Sequence, residues 1–144
     1  MRRIRRHGPG FTTVELIITM AIIAVLASMA VPRFGTMIRK ANEASTLGKL
    51  ATLRRSVSVY YADKEGQYPG DLTPFLQPGG QYATPVLPLY TADHGALSTV
   101  NYAASIDPTA DTGALGYIVS GADAGKVWMQ CTHTDVKGTI WSSY

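Results

Sequence analysis

Three side chains near the end of the sequence have metal-ligand chemistry and a regular spacing. Cys131, His133 and Asp135 occupy every second position, so on a β-strand they would point to the same face. Thiolate, imidazole and carboxylate groups are the usual protein ligands of zinc. The same spacing is also typical of a strand edge that runs into a polar turn capped by Asp135. We favour the turn and therefore expect no metal site among these residues.

The motifs of common enzyme classes are missing from the sequence. It contains no Gly-x-Ser-x-Gly, no phosphate-binding loop and no His-Glu-x-x-His. Its single cysteine, Cys131, excludes a haem attachment motif and an intrachain disulfide. We predict that the protein is not an enzyme and that it has no catalytic or cofactor-binding residues.

One carboxylate stands at the start of a long apolar segment. Glu15 is followed by residues 16–32, which carry no charged side chain. A carboxylate is unfavourable in lipid, and a simple membrane anchor has no use for it. We therefore expect Glu15 to meet a partner charge once the segment has left the bilayer.

The basic excess of the chain lies in front of this segment. The formal charge is +3, but four arginines contribute +4, so the remaining 13 − 4 = 9 basic residues face 10 acidic ones. The four are Arg2, Arg3, Arg5 and Arg6. Basic residues before a membrane segment keep that side in the cytoplasm. The charge therefore indicates membrane topology and gives no argument for or against nucleic-acid binding.

The charges behind the apolar segment are also segregated. Most of the charged residues between 33 and 64 are basic, whereas most of those between 65 and 144 are acidic. This pattern fits a basic stem that meets acidic heads of neighbouring copies in a packed array. It fits equally well two independently solvated surfaces.

A long helix must position Glu15. The apolar segment has roughly the length that a spanning helix needs, and apolar residues continue from Phe34 to Tyr61 in steps of three and four. We predict one helix over about residues 11–63, loosened at Pro32 because proline removes a backbone hydrogen bond. Glu65-Gly66 ends it.

The rest of the sequence predicts a small antiparallel sheet with one face on the helix and the other free to meet water or a neighbour, which makes the fold class α+β. Residues 65–99 are rich in proline and glycine and predict an irregular loop with one helical turn near Asp71. Strands are predicted at 100–105, 115–120, 126–131 and 138–142, and Gly-Ala-Asp-Ala-Gly at residues 121–125 predicts a hairpin turn between the second and the third. The predicted core residues of the sheet are Tyr117, Val119, Val127, Met129, Ile140 and Trp141.

The sequence Gly-Phe-Thr-Thr-Val-Glu at residues 10–15 resembles the processing site of type IV prepilins and of type II secretion pseudopilins. The resemblance implies that a prepilin peptidase cuts after Gly10 and that the new N-terminal residue, Phe11, is N-methylated. It makes Glu15 the fifth residue of the mature chain, and Pro32 fits the proline of the family's apolar helix. Pro9 departs from the family pattern, in which Lys or Arg usually precedes the glycine.

A second region carries the same resemblance. Residues 60–69, Tyr-Tyr-Ala-Asp-Lys-Glu-Gly-Gln-Tyr-Pro, are similar to the helix end of pilins and major pseudopilins. An ordinary signal peptide cleaved near residues 27–30, a signal anchor, and a membrane-tethered binding or catalytic domain are the competing interpretations. They leave Phe11 and Glu15 unexplained.

The resemblance implies a domain organisation and a function. Residues 1–10 would be a leader, residues 11–32 a transmembrane and filament-core helix, and residues 33–144 a globular pilin head. The protein would be a structural subunit of a type IV pilus-like filament or, alternatively, the major pseudopilin of a short periplasmic pseudopilus. Its partners would be copies of itself, the peptidase and methyltransferase, and the assembly machinery of the inner membrane, which would hold the precursor.

Calcium is a further expectation from the resemblance, since major pseudopilins bind it in their C-terminal loops. Loop acids of a suitable kind are present at Asp107, Asp111, Asp123 and Asp135. They lack the spacing of a known calcium loop, so calcium binding is the lesser expectation.

Overall fold

The structure, a computed structural model, describes residues 10–84 and 86–144. The predicted leader lies outside the described residues, apart from Gly10. The chain forms two compact units, one that ends at Ile38 and one that comprises Arg39–Tyr144.

The predicted long helix is confirmed as α1, Thr13–Asp63, with Pro32 inside it. Its end is also confirmed. The backbone N–H groups of Lys64 and Gly66 donate to the carbonyls of Tyr60 and Tyr61, both at 2.9 Å. Gly66 adopts a φ of 88°, a left-handed conformation that commonly closes a helix and that glycine adopts without strain.

The predicted loop over residues 65–99 contains more structure than expected. A short helix, α2 (Thr73–Leu76), follows Asp71, whose Oδ1 accepts the N–H of Thr73 at 2.8 Å. This confirms the predicted turn. Strands β1 (Leu89–Thr91) and β2 (Gly95–Leu97) then form an antiparallel hairpin. The irregular-loop prediction is wrong there, because three-residue strands are too short to show an alternating pattern.

A side chain of α1 fixes this hairpin. The hydroxyl of the buried Thr46 donates to the carbonyl of Tyr90 and accepts the N–H of the same residue, both at 2.8 Å. The outer backbone edge of β1 is thereby paired without another strand.

The second sheet has three strands in the order β3-β4-β5. They are β3 (Val100–Ala103), β4 (Leu115–Ile118) and β5 (Val127–Met129), which confirms three predicted strands. β4 and β5 are antiparallel, as the turn between them predicts, but β3 and β4 are parallel. The sheet is therefore mixed, because the connection over residues 104–114 returns the chain to the end at which β3 began.

The fourth predicted strand, at 138–142, is wrong. Residues Trp141–Ser143 form a 3₁₀-helix, and only one bridge joins Thr134 to Ile140. Asp135 explains the difference, since its carboxylate accepts the N–H groups of Lys137 and Thr139 at 2.8 and 2.9 Å. Side-chain bonds of this kind close a tight turn in place of a longer ladder.

The core lies between the second half of α1, α2 and the sheets. Of the predicted core residues, Tyr117, Val127, Met129 and Trp141 are buried and Val119 is partly buried. Ile140 is 47 % exposed, so that prediction is wrong. The expectation of a free second sheet face is also wrong for β4 and β5, since their side chains are buried on both faces.

Gly116, which has no side chain, lets the Trp128 ring cover one face of β4. It lies opposite Trp128 on β5, and a Cβ on Gly116 would lie 2.5 Å from the Trp128 ring. We expect Gly116→Ala to lower the free energy of unfolding by about 1–3 kcal/mol through overpacking. Gly48→Ala is the control, because that helical position is open and alanine favours helix by about 1 kcal/mol. Urea unfolding of both variants in detergent checks this, and equal stabilities would contradict it.

Candidate functional site

The first candidate site is the segment around Glu15. Phe11 is 71 % exposed. One oxygen of Glu15, Oε2, accepts the N–H and the hydroxyl of Thr12 at 2.9 and 2.7 Å. The Thr12 hydroxyl in turn accepts the N–H of Glu15 at 3.2 Å. The two residues thus form a reciprocal capping box at the start of α1.

This cap gives Glu15 a local role that the sequence analysis missed. The signal was present, since Thr12-Thr13-Val14-Glu15 is a Thr-x-x-Glu pattern in front of an apolar run. In the single chain the carboxylate is already hydrogen-bonded. Any partner charge must therefore compete with Thr12.

The helix behind Glu15 presents apolar side chains outward. All large apolar residues of this segment are about half exposed or more: Val14, Leu16, Ile17, Ile18, Met20, Ile22, Ile23, Val25, Leu26, Met29, Val31, Phe34, Met37 and Ile38. Among the described residues, α1 is the one helix that is long and apolar enough to cross a membrane. An uninterrupted apolar surface of this extent requires lipid or a protein partner.

Pro32 lies within this apolar helix. Because proline has no N–H, the carbonyl of Ser28 lacks its usual helical donor. The helix nevertheless continues through this position. The helix is therefore continuous at Pro32 but has one backbone hydrogen bond fewer there.

A buried acid in the larger unit was also missed. Glu43 is 2 % exposed. Its carboxylate accepts hydrogen bonds from Arg39 Nε and from the backbone N–H of Val136, each at 2.9 Å. It thereby joins α1 to the turn at residues 135–138. No sequence pattern indicates this contact, since Glu43 and Val136 lie far apart along the chain.

The three residues with alternating spacing do not act as a unit. Asp135 turns away from Cys131 and His133: it caps its own turn and accepts the hydroxyl of Tyr144 at 2.6 Å. Burial alone would raise the pKa of Asp135, but the bonds from Tyr144, Thr139 and Lys137 outweigh it and lower the pKa below its ordinary value. The interpretation of Asp135 as a turn cap is confirmed.

Cys131 and His133 instead meet two other residues. Ligand atoms of His94, Asp111, Cys131 and His133 all lie within 4.8 Å of one another, and no other group of three or more His, Cys, Asp or Glu among residues 10–84 and 86–144 could hold a metal. We call these four residues the His94 cluster. His94 was not predicted as a site residue, because it lies in the turn of the unpredicted β1–β2 hairpin.

Asp111 is the centre of the His94 cluster. Its Oδ1 lies 3.0 Å from His94 Nε2 and 3.3 Å from His133 Nδ1, and it accepts the N–H of Thr132 at 3.0 Å. The Thr132 N–H, with smaller contributions from the two imidazoles, lowers the pKa of the Asp111 carboxyl. Burial raises the pKa of the Cys131 thiol.

The other loop acids considered for calcium are engaged locally. Asp107 accepts the N–H and hydroxyl of Thr109 at 2.9 and 2.7 Å, and Asp123 pairs with Lys126. With Asp135 they do not join one cluster. Calcium binding by these acids stays a prediction.

Comparison with known proteins bears on the Glu15 segment. The model of the prokaryotic N-terminal methylation motif matches residues 5–31. The chain carries a prokaryotic N-terminal methylation motif. Gly10, Phe11 and Glu15 all lie inside the matched range.

Two curated proteins with the word fimbrial or pilus in their names are similar to this chain. The fimbrial protein EcpC of Eikenella corrodens is 36 % identical over 62 residues, or 43 % of this chain and 40 % of that protein. The type IV narrow pilus major component PilA5 of Thermus thermophilus is 35 % identical over 60 residues, or 42 % and 52 %. The matches thus span about half or less of these relatives. No solved structure gave a significant match.

Proposed function

We propose that this protein is the structural subunit of a type IV pilus-like extracellular filament. The observation that carries the proposal is the methylation motif joined directly to the exposed apolar part of α1, whose residues 16–32 carry no charged side chain. Phe11 and Glu15 lie at the start of that helix. A membrane anchor needs the apolar helix, but it needs neither a cleavage site nor an acidic residue at the start of that helix.

The first step in this proposal is processing. The precursor inserts with its arginines in the cytoplasm, and a prepilin peptidase cuts between Gly10 and Phe11. The cut removes the four arginines and gives Phe11 a free, positively charged α-amine, which is then methylated. Phe11 and Gly10 are well exposed, which supports access by an enzyme.

The second step is extraction from the membrane by inner-membrane machinery and packing of the helices into a filament core. There the Glu15 carboxylate exchanges its Thr12 bonds for a charged amine of its own chain or a neighbour. A charge buried without a partner is strongly unfavourable, so the pairing favours one axial register. The contact joins two different surfaces and therefore propagates as an open helix.

A short periplasmic pseudopilus uses the same architecture and is the alternative form of this filament. Cell fractionation distinguishes the two. For a pilus we expect the mature chain in the material sheared from the cell surface, free of an inner-membrane marker protein. Mature chain confined to the periplasm and inner membrane would favour the pseudopilus. A chain that remains in the membrane as an uncut monomer would contradict both.

A further inference from the structure

We propose that the His94 cluster is a structural zinc site in the globular unit. Its donor set comprises one thiolate, two imidazoles and one carboxylate, all of which are zinc ligands. A hard cation such as Ca²⁺ takes oxygen ligands and more of them. The mixed sulfur and nitrogen set therefore selects a transition metal.

Two of the distances between ligand atoms in the cluster match those of tetrahedral zinc. Bonds of about 2.0–2.1 Å to nitrogen and oxygen and of about 2.3 Å to sulfur place neighbouring ligand atoms of a tetrahedron about 3.3–3.7 Å apart. Cys131 Sγ lies 3.6 Å from His133 Nδ1, and Asp111 Oδ1 lies 3.3 Å from that nitrogen. His94 Nε2, at 3.0 Å from Asp111 Oδ1, is slightly too close and would move outward on binding.

Three separate segments of the chain supply these ligands. His94 comes from the turn between β1 and β2, Asp111 from the connection between β3 and β4, and Cys131 and His133 from the segment after β5. Since the three segments are distant along the chain, helix or strand periodicity does not bring them together. Only the tertiary fold does so.

The surroundings hold the ligands in place. Gly113 adopts a φ of 69°, and a Cβ at this position would clash with the side chain of His94. Glycine therefore lets the hairpin turn approach the β3–β4 connection closely. The Thr132 N–H orients the Asp111 carboxylate, in the manner of outer hydrogen bonds that orient metal ligands.

The cluster is open enough for a metal to enter. Cys131 is fully buried at its base, whereas the side chains of His94 and His133 are 19 % and 43 % exposed. Four protein ligands close the coordination shell, which is typical of structural rather than catalytic zinc. In a chain with one cysteine, the ion would link three loops as a disulfide does elsewhere.

The test is zinc titration of the mature full chain in detergent after treatment with a chelator and reductant. We expect one Zn²⁺ per chain and a rise in melting temperature, because the ion binds the folded state. Co²⁺ as a second probe should give the absorption of a tetrahedral cobalt–thiolate centre. Cys131→Ser should abolish that thiolate band, and His94→Gln should lower zinc affinity at least about tenfold, as even outer-shell changes do.

Asp107→Asn is the matched control, because Asp107 lies in the same connection as Asp111 but bonds only within its own turn. It should bind zinc as the parent does. If Cys131→Ser fails to fold, His133→Gln serves in its place, since that side chain is partly exposed. Zinc binding below one ion per chain, or equal binding by the ligand variants, would show a hydrogen-bonded cluster without metal and overturn the proposal.

Discussion

Glu15→Ala should leave the subunit inserted in the membrane and reduce the filament yield to below about one-hundredth. The helix stays apolar without Glu15, so insertion is not impaired. In the filament, however, the Phe11 amine would lose its partner charge. An uncompensated buried charge costs about 3–5 kcal/mol, which lowers the association constant of each subunit by two to three orders of magnitude or more. Quantitative blots of the sheared and membrane fractions measure both effects.

Thr12→Ala separates the two roles of Glu15. This variant removes the hydroxyl from the capping box and leaves the carboxylate in place. Loss of a cap costs only about 1 kcal/mol, and in the proposed filament packing would also stabilise the helix end. We expect Thr12→Ala to form filaments at close to the parental yield. A loss as severe as that of Glu15→Ala would mean that Glu15 serves the helix cap and not the subunit register.

Gly10→Ala should accumulate as an uncut precursor and form no filaments. The resemblance places the cleavage after Gly10, within the motif matched at residues 5–31. Without cleavage, Phe11 has no α-amine for Glu15, and four arginines would have to enter the apolar core. Both consequences oppose assembly. We therefore expect a lower filament yield than for any variant that changes only the packing of the helices.

Intact-mass measurement of the membrane-extracted protein checks this result, since the precursor keeps residues 1–10. Gly35→Ala is the matched control: it is the same substitution in the same unit, at an open helical position. It should be processed normally. A mature chain that begins at Phe11 in the Gly10→Ala variant would refute the cleavage site.

The elements that follow from local patterns could be predicted from the sequence. The apolar periodicity of α1, the Glu65-Gly66 helix end and the turn between β4 and β5 depend on neighbouring residues, and all three were found. Glu15 and Phe11 could be predicted for the same reason, because they belong to one contiguous motif. The Thr12 cap was equally readable, because its signal is four residues long.

The features that were missed depend on contacts between distant residues. The β1–β2 hairpin is fixed by Thr46 on α1, and the parallel pairing of β3 and β4 follows from the path of residues 104–114. His94 reaches Asp111 only because the hairpin exists and Gly113 leaves room for it. Cys131 and His133 lie in the His94 cluster, whereas Asp135 is committed to its own turn, and the spacing of the three residues does not distinguish these two environments.

Cryo-electron microscopy of the sheared surface filaments tests the central claim most directly. The expected map shows α1 helices packed in the core, chains that begin at Phe11, and the Glu15 carboxylate within hydrogen-bonding distance of a Phe11 amine. Filaments in which Glu15 contacts only Thr12, while the Phe11 amine points to solvent or to another acid, would contradict the account.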